Sequence, residues 1–142
     1  MKNKIPTLLT ITVLLLGADA TYAGSATWNL NPTTGDWNTT ANWTPATVPN
    51  GGNQTATFAV SNTTAPSVSD QTVVNGVVFR PGASAFTVTV LPTFYFTVTG
   101  TGIENDSGIT QTFVTAADSG GTEALLPSRT IQLLEMKLCS TT

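Results

Sequence analysis

A set of short segments in which apolar and hydroxyl residues alternate constrains this chain more than any other feature. They are Thr55-Ala56-Thr57-Phe58, Gln71-Thr72-Val73-Val74, Phe86-Thr87-Val88-Thr89-Val90, Phe94-Tyr95-Phe96-Thr97-Val98-Thr99 and Thr110-Gln111-Thr112-Phe113-Val114. Successive side chains of a strand point to opposite faces, so a period of two builds one apolar and one hydroxyl face. Thr and Val are stiff at χ1 and suit a pleated surface better than a helix. Strong helix formers are scarce, and Leu30 and Leu91 are the only leucines between 24 and 121. Turn signals fall between the segments: Pro49-Asn50-Gly51-Gly52, Asn75-Gly76, Arg80-Pro81-Gly82, Gly100-Thr101-Gly102 and Asp106-Ser107-Gly108. The expected class is all-β. The expected core includes Phe58, Val74, Val77, Phe79, Phe86, Val88, Phe96, Val98, Ile103 and Phe113.

Two architectures fit strands this short. One is a β-sandwich, whose strands recur about every ten residues. The other is a β-solenoid, a parallel β-helix whose coils of about 20 residues each carry two or three short strands. Asn75 and Asn105 fall where bends are expected, and asparagines stacked at bends bond from coil to coil. Asn also tolerates turn conformations anywhere, so periodicity alone leaves both open.

The N-terminus predicts export. Met1-Lys2-Asn3-Lys4 is a basic start, Ile5 to Ala18 an apolar run, and Asp19-Ala20-Thr21-Tyr22-Ala23 a small-residue cleavage region. That order is a cleavable signal peptide over 1–23, with cuts expected after Ala20 or Ala23. The apolar run is shorter than the roughly 20 residues a membrane span needs. Pro6 and the threonines at 7, 10 and 12 weaken an anchor further, so no span is expected in the mature chain. From 24 to 121 Arg80 is the only basic residue, against Asp36, Asp70, Glu104, Asp106 and Asp118. That balance argues against nucleic acid, where Lys and Arg supply the affinity, and against an anionic membrane surface. The chain has no histidine, hence neither the commonest catalytic base nor the commonest transition-metal ligand. Cys139 is the only cysteine, so no internal disulfide can form.

The tryptophans cluster in Ala26-Thr27-Trp28, Gly35-Asp36-Trp37 and Ala41-Asn42-Trp43. With Val48-Pro49-Asn50-Gly51 and Ala56-Thr57-Phe58 they form a pattern that resembles the start of passenger regions in large bacterial autotransporter-type surface proteins containing β-strand repeats. Val74-Asn75-Gly76-Val77-Val78-Phe79 and Gly82-Ala83-Ser84-Ala85-Phe86-Thr87-Val88 are similar to the first coils of such a passenger. Gly100-Thr101-Gly102-Ile103 and Ser107-Gly108-Ile109-Thr110-Gln111-Thr112-Phe113 continue the likeness. It spans about residues 24–119. The resemblance implies a right-handed parallel β-helix at the cell surface, here the truncated N-terminal end of a larger passenger, structural or adhesin-like and without chemistry. Its implied partners are surface glycans or components of a host or neighbouring cell.

For Trp28, Trp37 and Trp43 two readings remain. Exposed indole faces could stack on sugar rings and make a carbohydrate-binding module. Alternatively the rings cap the apolar end of the first coil, burying much area at little entropic cost. The spacings do not place all three on one strand face. Catalytic and cofactor sites are not expected. Glu104 and Asp106 are two acids in a turn-like stretch without the spacing of a calcium repeat. A polysaccharide lyase, the remaining enzymatic alternative, would have to use Arg80 as its base. Sequons at Asn38, Asn42, Asn53, Asn62 and Asn105 follow from an Asn- and Thr-rich composition.

The character changes at 122–142, which holds leucines at 125, 126, 133, 134 and 138 together with Glu123, Arg129, Glu135, Lys137 and Cys139. A short helix from Arg129 to Leu138 is one expectation. The other is translation out of frame, since codons permitted by Thr122 to Thr142, read two nucleotides later, can restore a Thr/Asn/Phe alternation.

Overall fold

The computed structural model describes residues 24–117, and the signal segment 1–23 and the tail 122–142 lie outside the described residues. The described chain runs β1 (Ala26–Trp28), a 3-10 turn (Thr40–Asn42), β2 (Trp43–Thr44), β3 (Gly51–Phe58), β4 (Ser67–Val68), β5 (Thr72–Phe79), β6 (Thr87–Val90), β7 (Phe96–Asn105) and β8 (Thr112–Thr115). The class is all-β, as the alternation predicts.

Strands sort into two sheets by chain order. The five-stranded sheet has the order β2-β1-β3-β5-β7 and the three-stranded sheet β4-β6-β8. Neighbours β1 and β3, β3 and β5, β5 and β7 are parallel, as are β4 and β6, β6 and β8. A sandwich built from hairpins would pair antiparallel neighbours. The pairing is nonetheless not uniformly parallel: β2 runs antiparallel to β1, with Trp28 opposite Trp43, so the larger sheet is mixed. The physical reason is the 29–42 segment, which folds the chain back on β1 rather than carrying it on to the next parallel strand.

Register places like with like. Ala56 lies beside Val77 and Val77 beside Ile103, while Phe58 lies beside Phe79. These inward side chains meet Val68, Val88 and Val90 of the other sheet in one cluster. Of the expected core, Phe58, Val74, Val77, Phe79, Phe86, Val88 and Phe96 are buried. Val98, Ile103 and Phe113 are only partly buried against the cluster. Among the described residues their strands, β7 and β8, have a neighbour on one side only.

Two of the expected turns are not turns. Asn75-Gly76 lies inside β5 and Gly100-Thr101-Gly102 inside β7. The two sites face each other across the β5–β7 pair, where the register shifts between Val74 and Gly76. A Cβ on Gly76 would run into the Thr101 hydroxyl, and one on Gly100 into the Asn75 amide. Glycine permits two adjoining strands to bulge together, a demand local sequence shares with turns. The asparagines do not stack either. Asn75 Nδ2 donates to the Thr101 hydroxyl, and Asn105 binds its own loop at Ile109 O and Ser107 N. Arg80-Pro81-Gly82 is a true turn: the Ala83 amide donates to Arg80 O at 2.9 Å, with Gly82 at φ 74°.

Candidate functional site: the tryptophan cluster

Residues 26–44 bring the three tryptophans together from three different local settings. Trp28 ends β1 and Trp43 opens β2, so antiparallel pairing sets them opposite. Their rings meet edge-on, centroids 5.0 Å apart at 78°. Trp37 follows an isolated parallel bridge between Asp36 and Ser67, which ties the loop to β4. It packs edge-on against Trp43 at 4.9 Å and 69°. Phe58 touches all three indoles, at 6.1, 5.6 and 5.7 Å. Such edge-on pairs add about 0.5–1.5 kcal/mol each beyond area burial.

None of the three offers a ring face to solvent: exposure is 1% for Trp28, 0% for Trp37 and 1% for Trp43. Each indole N–H is also engaged. Trp28 donates to Thr63 O at 3.0 Å, Trp37 to Pro49 O at 3.3 Å and Trp43 to Trp37 O at 2.7 Å. Stacking on a sugar needs an uncovered face, which these positions lack. Trp37 also extends beyond a simple lid, because its ring reaches Phe96 at the start of β7 at 5.1 Å. It is a wedge driven into the interior.

Asn42 holds the wedge in place, and sequence reasoning missed it. It is fully buried. Its Oδ1 accepts from the Thr33 hydroxyl and the Thr34 amide, at 2.9 and 3.1 Å. Its Nδ2 donates to the Thr34 hydroxyl and to Asp36 O, at 2.8 and 2.6 Å. The loop thus satisfies every donor and acceptor of a fully buried amide, and the amide in turn ties Thr33, Thr34 and Asp36 together. Asp36 closes the loop, accepting from the hydroxyls of Thr39 and Ser69 at 2.7 and 2.6 Å. Asn38 bridges onward, donating to the Thr72 hydroxyl and accepting from the Ser69 amide. The only sequence signal was the sequon at Asn42, which an Asn- and Thr-rich composition already accounts for.

The other candidate residues do not converge. Arg80 is exposed on its turn, and Glu104 and Asp106 are exposed at the end of β7 and just beyond it. Among the described residues no group of three or more His, Cys, Asp or Glu is placed to hold a metal ion. Nor is any helix among them long and apolar enough to cross a membrane. No family model, curated protein or solved structure matches the chain.

Proposed function

We propose that this chain is an exported, non-enzymatic structural element, the N-terminal end of a right-handed parallel β-helix of the kind that begins autotransporter-type passengers. The observation that carries this reading is the order of the sheets. Strands β1, β3, β5 and β7 stack in parallel in the sequence in which the chain makes them, and β4, β6 and β8 do the same opposite. From β3 onward each passage of the chain adds one strand to each sheet, as in the growth of a solenoid. The first circuit differs as a terminal repeat must: antiparallel β2, the Asn42 loop and the three tryptophans close it off. The role is mechanical, a rigid start that presents later residues outside the cell as a scaffold or adhesin.

Intrinsic fluorescence with a glycan panel tests this reading. The three tryptophans should emit at short wavelength, resist quenching by acrylamide and ignore added polysaccharide. Long-wavelength emission that shifts with a polysaccharide would instead support a carbohydrate-binding module. Cleavage of a uronate polymer that is lost in Arg80→Ala would support a lyase. Export is tested by the intact mass of the secreted product, expected to begin at Thr21 or Gly24. Retention of Met1 or Lys2 would contradict it.

A further inference from the structure

The two ends of the larger sheet are defended unequally. At one end the edge strand is β2, only two residues long, and Pro45 follows it immediately with no amide to donate. At the other end, among the described residues, the edge strand is β7, ten residues long, with no proline, no lysine and no charge pointing inward. Beside it, Val98, Ile103 and Phe113 leave part of their apolar surface uncovered. A long edge of this kind is a template for another strand.

The β7 sequence also says which strand. Val98 lies beside Val74 and Ile103 beside Val77, both fully buried, so Val98 and Ile103 share the core face. Five positions apart, they would fall on opposite faces of a regular strand. Both strands change phase within this stretch: Val74 and Val77, three apart in β5, are both buried, and Val98 and Ile103 follow them in register onto the same face. Thr97 beside Val73 and Glu104 beside Val78 then share the outer face. Turned end for end about the Gly100–Thr101 peptide, β7 therefore matches itself: Val98 meets Ile103 on the core side, and Thr97 meets Glu104 on the outer side. No like charges oppose each other in this register.

We propose that the β7 end docks a second copy of this chain, the two β7 strands pairing antiparallel about a two-fold axis at Gly100–Thr101. The contact is isologous, so it closes as a dimer. Head-to-tail stacking into filaments is opposed by the short, proline-ended β2 edge and the buried tryptophans at the other end. This inference stands on edge geometry and does not depend on export; a further coil stacked on β7 would take the same edge in place of the second copy.

Sedimentation velocity of the purified chain across a dilution series is the test, with thermal melts confirming that each variant folds. The wild type should pass from dimer to monomer on dilution. Thr97→Glu places a second carboxylate against the partner's Glu104 at two symmetric sites, and should weaken the dimer about tenfold. Glu104→Lys alone should leave it intact. The double variant Thr97→Glu/Glu104→Lys should restore wild-type affinity, because each new pair is then of opposite sign. A monomer at every concentration would overturn the proposal. So would open-ended assemblies, or a dimer indifferent to Thr97→Glu. Failure of the double variant to rescue would overturn the register.

Discussion

The two ends of the sheets meet the same physical problem and answer it differently. Each leaves an apolar core and a row of backbone groups facing outward. At the first end, residues 29–44 fold back over β1, three indoles are exposed by 1% or less, and one buried amide satisfies the loop that carries them. At the other end, Val98, Ile103 and Phe113 are only partly covered. Among the described residues, one end is covered from within the chain, and the other leaves a strand edge and part of its core uncovered. The contrast shows that sealing a sheet end takes a polar anchor as well as large rings. Asn42 is the buried polar group of this end, and its four bonds to the loop offset the cost of burying its amide while fixing the loop that carries Trp37.

The largest expected effect separates the ends directly. Trp37→Ala should cost about 3–5 kcal/mol in chemical denaturation, since it empties the space between Phe58, Trp43 and Phe96. Phe113→Ala at the open end should cost only about 1–2 kcal/mol, because part of that ring is already solvated. Equal costs would break the contrast. Between these lies Asn42→Asp, nearly isosteric but without the Nδ2 donors to the Thr34 hydroxyl and Asp36 O. It should cost about 2–3 kcal/mol, measured by the same denaturation.

Much of this organisation is legible in the sequence. The alternating segments fall on or overlap β3, β5, β6, β7 and β8, and Arg80-Pro81-Gly82 turns where its residues predict. Other parts are not legible, for identifiable reasons. Asn75-Gly76 and Gly100-Thr101-Gly102 look like turns because bulges and turns ask the same freedom of glycine; only the register of β5 against β7 distinguishes them. Strands β1, β2 and β4 have two or three residues each, too few to show a period. Asn42 resembles any surface asparagine until Thr33, Thr34 and Asp36 are seen around it. The half-burial of Val98 and Ile103 reflects what lies beside β7, which no local pattern encodes.

The smallest expected effect lies at Thr93, just before β7. It is the one described non-glycine residue with positive φ, at 71°, in a turn where the Phe94 amide donates to Leu91 O at 3.3 Å. A β-branched residue is strained in that conformation. Thr93→Gly relieves the strain but adds freedom to the unfolded chain, for a net gain of up to about 1 kcal/mol. A lower melting temperature would contradict strain at this turn.

Native-state hydrogen exchange tests most directly whether one end is sealed and the other open. In a dilute, monomeric sample, the Trp37 amide bonded to Ser67 O and the Asn29 amide bonded to Asn42 O should be among the most protected. The Thr112 amide bonded to Phe86 O and the Ala116 amide bonded to Val90 O should exchange well before them, through local opening of β8. Equal protection at the two ends, or faster exchange around Trp37 than in β8, would contradict it.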